Sequence, residues 1–185
     1  MQPIGNVVNK FQRVVRDLSR TLGKNINLSI EGAETELDKS LLEAIKDPLT
    51  HIVRNSCDHG LESADERKNT GKDIQGNIWI NAYHEGGQVV VKVSDDGRGL
   101  NESAILKKAL EKGIISEVQA ESLSSQEIHN LIFSPGFSTS ATVTNVSGRG
   151  VGMDVVATNI ENIGGNVEIE SRQGKGTIIQ LKIPL

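Results

Sequence analysis

Three closely spaced glycines near the C-terminus, Gly148, Gly150 and Gly152, have the spacing of a phosphate-binding loop. Glycine lets backbone amides approach an anion closely, and the helix predicted to start near Val151 directs its positive end toward the same place. No Gly-Lys-Ser/Thr follows, so this is not a Walker loop, and Met153 stands where a dinucleotide-binding fingerprint needs its last glycine. Taken alone, the spacing leaves nucleotide binding and an ordinary tight turn as alternatives.

The segment that leads into these glycines has the composition of a lid. Seven of the fourteen residues from 134 to 147 are Ser or Thr and none is charged, which is typical of a mobile loop rather than a packed element. The sequence therefore predicts a loop that closes over a bound phosphate group.

A second set of chemically active side chains lies on one predicted helix. His51, Asn55 and Asp58 are spaced i, i+4 and i+7, so they fall on a narrow arc opposite the apolar side, with His59 beside them. Asn55 offers an amide oxygen suited to one position on a Mg²⁺ ion that otherwise binds phosphates and water. His51 could contact a terminal phosphate or polarise an attacking group. The alternative is an ordinary solvated surface, but this face holds no Lys or Glu.

An aspartate follows a predicted strand directly, in the sequence Asp95-Asp96-Gly97-Arg98-Gly99. In most proteins such a sequence is simply a turn. The functional interpretation is that a buried Asp95 accepts a hydrogen bond from the exocyclic amino group of adenine, while Gly97 lets the purine lie against bare backbone. The same carboxylate would repel the O6 atom of guanine and so select ATP over GTP.

These side chains need helices and strands to position them, and apolar periodicity predicts both. Helices are predicted at about 4–22, 39–59, 63–71, 102–112, 125–133 and 151–163, with a kink or restart at Pro48. Strands are predicted at 26–30 and in two hairpins, 76–83 with 88–94 and 166–171 with 177–183. This arrangement predicts an α/β sandwich of the α+β type, with helices on one face of a mixed, largely antiparallel sheet.

Composition limits the class of protein. With 185 residues, 36% of them hydrophobic and 3% aromatic, the chain is long enough for one domain, 1–185, whose core is mostly Val, Ile and Leu. A net charge of −4 argues against a nucleic-acid-binding or anionic-membrane surface. No apolar run exceeds three residues, so neither a transmembrane helix nor a signal peptide is expected. Cys57 is the single cysteine, which excludes an internal disulfide and makes the cytoplasm the simplest compartment.

Five motifs follow one another along the chain, at 51–60, 95–99, 133–139, 147–154 and 174–177. In this order they resemble the asparagine box, the first glycine box, the phenylalanine box, the second glycine box and the last glycine box of the ATP-binding catalytic domain of histidine kinases. Within that group the chain is similar to the chemotaxis kinases, in the gyrase/heat-shock chaperone/histidine kinase/MutL superfamily. The resemblance covers essentially the whole chain.

The resemblance implies a Bergerat-type ATP-binding fold, a sandwich with a left-handed βαβ unit in which ATP lies between sheet, helix and lid. It implies that Asn55 binds Mg²⁺, that Asp95 binds the adenine amino group with Gly97 supporting the base, and that the three lid glycines hold the triphosphate. Thr177 would help close the adenine pocket from the last strand. The remaining residues expected at the nucleotide are Asp58, His59, Gly99, Ser138, Thr139, Arg149 and Met153.

His51 distinguishes between branches of this superfamily. Gyrase-like ATPases carry a glutamate four residues before the asparagine, where it activates water, whereas a histidine there resembles the chemotaxis kinases, in which it acts near the γ-phosphate. The resemblance therefore implies a protein-histidine kinase of two-component chemotaxis signalling, which transfers the γ-phosphoryl group of Mg²⁺–ATP to a histidine. An ATPase module of the gyrase/MutL type and a non-catalytic nucleotide-sensing domain stay as alternatives.

The resemblance also implies partners. The acceptor histidine of this family lies on a separate phosphotransfer domain of the same kinase, so the chain is expected to be the catalytic part of a larger protein. A coupling protein and a chemoreceptor array would be reached through domains absent from this sequence, and neither nucleic acid nor membrane insertion is expected. His84 and His129 lie outside the motifs and are interpreted as ordinary surface or core residues rather than acceptors.

Overall fold

A computed structural model describes residues 1–138 and 152–185 of the chain. The strands within these ranges are β1 (Gln2–Pro3), β2 (Ile26–Glu31), β3 (Glu36–Leu37), β4 (Gly76–Glu85), β5 (Gln88–Asp95), β6 (Asn166–Arg172) and β7 (Gly176–Pro184). The α-helices within them are α1 (Gly5–Val8), α2 (Phe11–Leu22), α3 (Lys39–Asn55), α4 (Ala64–Asn69), α5 (Glu102–Glu111), α6 (Glu117–Glu121), α7 (Ser125–Asn130) and α8 (Met153–Asn162).

Five of these strands form one mixed sheet in the order β2-β4-β5-β7-β6. β2 runs parallel to β4, whereas the other neighbouring pairs are antiparallel. Parallel neighbours require a crossover connection, and α3 and α4 lie in it, so β2, α3 and β4 form a βαβ unit. The predicted mixed, largely antiparallel sheet and both predicted hairpins are thus confirmed.

The sheet is packed with helices, and its strands alternate accordingly. On β4, Ile78 and Ile80 are buried, while Trp79 between them is 43% exposed, because successive side chains point to opposite faces. Helices α2, α7 and α8 contact the sheet, and α3 packs against both α2 and α8. One cluster of apolar side chains, mostly Val, Ile and Leu, extends from Ile4 to Ile183.

In the described part of the chain, no helix combines the length and the apolarity needed to span a bilayer.

The predicted N-terminal helix is two helices rather than one. Two residues separate α1 from α2, and the start of α1 is fixed by a tertiary contact, since the N–H group of its N-cap Ile4 donates to the carbonyl of Thr35 at 2.8 Å. Gly23 ends α2 in the left-handed conformation with φ of 63°, as its position in the sequence predicts.

The helix predicted at 39–59 also differs from expectation at its C-terminal end. α3 continues through the buried Pro48 without a restart, but it stops at Asn55. Ser56–Gly60 form a π-helical turn, closed by a hydrogen bond from the N–H group of Leu61 to the carbonyl of Ser56 at 2.8 Å. A π-turn holds more residues than an α-turn, so side chains after Asn55 no longer follow α-helical spacing.

Helix boundaries elsewhere follow their capping residues. Asn101 caps α5, Ser63 caps α4, and Ser124 forms a capping box at α7. α6 and the two-stranded β1–β3 ribbon were not predicted, because α6 buries no residue and each strand of the ribbon has two residues, too short for a periodic signal.

Candidate functional site

The C-terminal half of α3 carries the first two candidate residues. His51 is half-buried, and burial, with a further contribution from the charge of Arg54, lowers the pKa of its imidazole. One turn later the amide nitrogen of the half-buried Asn55 donates to the sulfur of Met153 at 3.3 Å. Because Met153 is the first residue of α8, this contact brings the asparagine box and the second glycine box together.

The side chains of Asp58 and His59 are exposed, whereas Asn55 is half-buried. Both lie in the π-helical turn, where their side chains are 55% and 79% exposed and approach each other to 3.5 Å. The predicted arc assumed that the α-helix continues to residue 59, and the change of helix type after Asn55 removes that spacing. The expectation that Asp58 lies at i+7 on the same α-helical face as His51 is therefore wrong.

Lys24 holds this turn from outside. Its ammonium group donates to the carbonyl oxygens of Cys57, Asp58 and Leu61 at 2.9, 2.7 and 2.8 Å. These carbonyls lie at the end of α3, where backbone acceptors lack helical partners and a cation is favourable. The sequence offers no signal for this role, because Lys24 is separated from the turn by more than thirty residues.

Asp95 ends β5 and is nearly buried, at 8% exposure. Burial raises the pKa of its carboxyl to about 6, while the N–H of Gly97, the hydroxyl of Ser56 and the N–H of Thr177 act in the opposite direction by favouring the charged form. The Gly97 bond measures 3.0 Å. Asp95 is therefore a desolvated acceptor, and the N–H of Gly97 holds one of its oxygens.

The turn after Asp95 packs backbone against backbone. A Cβ atom at Gly97 would overlap the carbonyl oxygen of Gly60, and one at Gly176, where φ is 117°, would overlap the carbonyl oxygen of Asp95. Gly99 lies against the backbone of Arg172 in the same way. The first and last glycine boxes thus meet at this turn because only glycine leaves room for the approach.

Thr177 lies directly opposite Asp95 across the β5–β7 ladder. Its hydroxyl is 3.0 Å from the hydroxyl of Ser171 on β6, and the residue is half-buried. The fold thus brings Thr177, Asp95 and Gly97 together, as the resemblance implies. Ser56 joins them although only its neighbour Asn55 was singled out from the sequence.

The two residues that bracket the undescribed segment lie side by side. A Cβ atom at Gly152 would come within 2.8 Å of the Cβ of Ser138 and 2.6 Å of a carboxylate oxygen of Asp154. Gly152 is the N-cap of α8 and supplies no side-chain cap, so the N-terminus of a helix, the end that favours an anion, lies beside Ser138. Thr139, Gly148, Arg149 and Gly150 lie outside the described residues.

No cluster of three His, Cys, Asp or Glu side chains suited to a metal ion occurs in residues 1–138 and 152–185. At the site itself, the amide oxygen of Asn55 is a neutral ligand of the kind that Mg²⁺ accepts beside phosphate oxygens and water. Since the amide nitrogen is the atom that contacts Met153, the oxygen is free of that contact. A single amide oxygen fits a Mg²⁺ ion that is bound together with a nucleotide rather than one held by protein ligands alone.

Of the two histidines outside the motifs, one lies in the interior and the other on the surface. His129 is buried, at 5% exposure, and its Nε2 atom lies 3.3 Å from Glu102. His84 is exposed at the end of β4.

A family model described as histidine kinase-, DNA gyrase B-, and HSP90-like ATPase matches residues 44–185. Over all 185 residues, the chain is 60% identical to sensor histidine kinase CheAY of Helicobacter pylori. It is 48% identical over the same length to chemotaxis protein CheA of Bacillus subtilis and 51% identical to that of Salmonella typhimurium. The chain spans 23%, 28% and 27% of these relatives, about a quarter of their length.

Solved structures share the fold. A histidine kinase domain from the Erythrobacter litoralis EL346 blue-light activated kinase has a TM-score of 0.55 at 15% identity, over 99% of this chain and 65% of that one. The catalytic domain of histidine kinase ThkA has a TM-score of 0.54 at 21% identity, over 98% and 88%. At these identities the likeness concerns the fold alone.

Proposed function

Because the chain belongs to the family of histidine kinase-, DNA gyrase B- and HSP90-like ATPases, and resembles CheA chemotaxis kinases over its whole length, we propose that it binds Mg²⁺–ATP and transfers the γ-phosphoryl group to a histidine. The acceptor histidine lies on a separate phosphotransfer domain of the same kinase. The single observation that carries the proposal is the desolvated Asp95 carboxylate at the junction of the first and last glycine boxes.

Asp95 recognises the base. The exocyclic amino group of adenine donates to its carboxylate, while Gly97 and Thr177 form the wall beside it. An ionised carboxylate only accepts hydrogen bonds and has no proton to donate, so it repels the O6 atom of guanine. This assigns ATP rather than GTP as the substrate.

Asn55 and the N-terminus of α8 bind the phosphate end. Asn55 supplies one amide oxygen to Mg²⁺, which neutralises charge on the phosphates when it is bound. Ser138, Gly152 and Met153 lie at the entrance to α8, and the contacts of Thr139, Gly148, Arg149 and Gly150 with the triphosphate remain predictions of the resemblance. Phosphoryl transfer needs positioning and charge neutralisation above all, and this arrangement supplies both.

His51 acts near the γ-phosphate. It lies one turn before Asn55, and its lowered pKa keeps the imidazole neutral at pH 7, so it can donate one hydrogen bond without adding charge. The acceptor imidazole forms an N–P bond as the bond to the bridging oxygen breaks and ADP leaves. His51 stands where the hydrolytic relatives carry a glutamate, and this resemblance to the chemotaxis kinases favours the kinase over the ATPase.

The whole kinase is larger than this chain. We place residues 1–185 as its single ATP-binding domain, acting in the cytoplasm within two-component chemotaxis signalling. A coupling protein and chemoreceptors would be reached through other domains of the same protein.

The fate of the γ-phosphate tests the proposal. The chain is incubated with Mg²⁺ and γ-labelled ATP, with and without a CheA phosphotransfer domain. We expect label on the acceptor histidine, its loss on chelation of Mg²⁺, and a fall of about 10²–10³-fold in rate for Asn55→Ala, the size seen when a charge-stabilising group is removed. Asn69→Ala, at an exposed position of α4, is the control.

Each other outcome assigns a different function. Release of free phosphate alone, unaffected by the acceptor, would identify an ATPase of the gyrase/MutL type. ATP binding without turnover in the presence of a competent acceptor would identify a nucleotide-sensing domain. Undiminished Mg²⁺-dependent transfer by Asn55→Ala would remove Asn55 as the metal ligand.

A further inference from the structure

Four charged side chains form a buried cluster behind the turn that follows Asp95. Arg67 and Glu62 are 2% and 8% exposed, with an Nη1 atom of Arg67 3.1 Å from the Glu62 carboxylate. The ammonium group of Lys72 is 2.6 Å from the other oxygen of Glu62, and Arg67 is also 3.3 Å from Asp96. The nucleotide site as described above uses none of these residues.

The two cations of this cluster bind the carbonyl oxygens of the turn. Arg67 donates to the carbonyl of Asp96 at 3.1 Å, and Lys72 donates to the same carbonyl at 3.1 Å and to that of Gly97 at 2.8 Å. Glu62 holds both cations in place. We call Glu62, Arg67 and Lys72 the turn clamp.

The inner side of the same two peptide groups faces the nucleotide site. The peptide group that carries the Asp96 carbonyl also carries the N–H of Gly97, which donates to the Asp95 carboxylate at 3.0 Å. The next peptide group, with the Gly97 carbonyl, carries the N–H of Arg98, which donates to Gly60 at 2.9 Å. A trans peptide is planar and its C=O and N–H point in opposite directions, so the atoms on its two sides are oriented together.

A cation on the carbonyl side therefore acts on the N–H side in two ways. It fixes the plane of the peptide, and it polarises the group so that the N–H becomes a stronger donor. Asp95 needs such a donor, since burial disfavours its charged form. The carboxylates of Glu62 and Asp96 balance the charges of Arg67 and Lys72, which permits two cations at so buried a position.

The protonation of Glu62 is consistent with this balance. Burial opposes its ionisation, but the hydrogen bond and charge of Lys72, together with Arg67, hold the pKa of Glu62 below its ordinary value. Glu62 is therefore ionised throughout the neutral pH range.

We propose that the turn clamp positions Asp95 for recognition of the adenine amino group, acting through the peptide groups of Asp96 and Gly97 rather than by contact with the nucleotide. Arg67 and Lys72 are positioning residues, and Glu62 holds them. The inference rests on the proposed function, because it takes the Asp95 carboxylate as the adenine acceptor.

The test uses a ligand pair that differs only in the amino group, ATP and purine riboside triphosphate, titrated in Mg²⁺ against Lys72→Met. We expect ATP affinity to fall by about tenfold, comparable to one charge-assisted hydrogen bond, and purine riboside triphosphate affinity to change less than about twofold. Lys72→Arg, which restores a cation, should recover most of the loss. Lys68→Met, at an exposed position of α4, is the matched control.

A general disturbance of the fold would weaken both ligands equally, and that result overturns the inference, as does unchanged ATP affinity in a folded Lys72→Met. Lys72→Gln, which keeps a shorter donor, is measured in the same way if Lys72→Met does not fold. Asp95→Asn in the same titrations distinguishes a failure of the turn clamp from a failure of the adenine site. Loss of ATP preference in Asp95→Asn but not in the clamp variants rejects the clamp alone, whereas no effect of Asp95→Asn rejects the adenine site itself.

Discussion

At the scale of single residues, removal of water sets the charge of two groups in the site. Burial raises the pKa of Asp95 to about 6, and burial with the nearby charge of Arg54 lowers the pKa of His51. In both cases the protein disfavours the charged form, because a low-dielectric environment penalises a carboxylate and an imidazolium alike. At pH 7, Asp95 is still mostly ionised and His51 is neutral, which suits an acceptor for adenine and a donor near phosphate.

We expect ATP binding to weaken as pH falls through about 6, because adenine recognition uses the ionised Asp95. A pKa of about 6 leaves roughly a tenth of the carboxylate ionised at pH 5, so affinity should fall about tenfold between pH 7 and pH 5. Asp95→Asn should lack this loss of ATP affinity. The ATP phosphates titrate in the same way with both proteins, so subtracting the pH profile of Asp95→Asn removes their contribution. Calorimetric titration at both pH values checks the difference, and parallel profiles would contradict it.

The raised pKa of Asp95 also makes the stability of the fold depend on pH. The folded-state pKa of about 6 exceeds the ordinary value of 3.8, so the folded chain binds more protons than the unfolded chain between these values. The contribution of Asp95 to stability is therefore fully present below about pH 4 and is lost as pH rises through 6. Asp95→Asn should flatten that part of the stability profile.

His51→Gln should slow phosphoryl transfer by about 10²-fold, in the range for loss of a proton-transfer or hydrogen-bonding group, while ATP affinity stays within a few-fold. Single-turnover transfer and nucleotide titration measure the two effects separately. His84→Gln, exposed on β4, is the control. A large loss of ATP affinity in His51→Gln would assign the residue to binding instead.

At the scale of elements, the end of α3 depends on a residue from outside the matched family region. The family model covers residues 44–185, whereas Lys24 lies between α2 and β2 and donates to three carbonyls of the turn that follows α3. The chain between Asn55 and Gly60 thus has two supports, the core contacts of α3 and the ammonium group of Lys24. The N-terminal segment thus supports the backbone of the site through Lys24.

Lys24→Met should lower the free energy of unfolding by about 2 kcal/mol, since hydrogen bonds that involve a charged donor contribute about 1.5–3 kcal/mol. Lys10→Met, at an exposed position, should stay within about 0.5 kcal/mol. Chemical denaturation of both variants, with and without ATP, makes the comparison. Equal stability of the two variants would show that water replaces the ammonium group at these carbonyls without cost.

At the scale of the whole molecule, the site and the hydrophobic core share residues. Cys57 lies in the π-helical turn and is fully buried in the same apolar cluster as Ile4 and Ile183. Burial raises the pKa of its thiol to about 12, so the reactive thiolate is scarce as well as inaccessible. Access to this thiol therefore requires the site to open.

Alkylation of Cys57 by iodoacetamide at pH 8 should be slow in the native protein and slower with ATP. If the opening that exposes the thiol also releases nucleotide, ATP at 100 times its Kd should slow labelling by about 100-fold. The single cysteine makes mass spectrometry of the intact chain sufficient. Rapid labelling that ATP does not affect would mean that the turn opens independently of the site, and Lys24→Met should then label faster than Lys10→Met.

The elements with strong local signals were predictable. Each hairpin depends on residues within a few positions of one another, and both predicted hairpins are confirmed, as is the helix end predicted at residue 22, where Gly23 follows. The order of the five motifs carried the family assignment for the same reason, since each motif is a short segment. That assignment also implied a place for Thr177 beside the adenine pocket, and the structure shows Thr177 opposite Asp95 on the neighbouring strand.

What only the tertiary structure decided depends on pairs that are far apart in sequence. Periodicity extended the helix from 39 to 59, whereas the π-helical turn displaces Asp58 and His59 and is held by Lys24 from more than thirty positions away. The turn clamp is equally nonlocal, because Lys72 reaches Gly97 across 25 positions. The sequence by itself identified the candidate residues and determined the elements with strong local signals. The structure decided which backbone groups a buried cation must satisfy, because that requirement arises only when distant segments exclude water together.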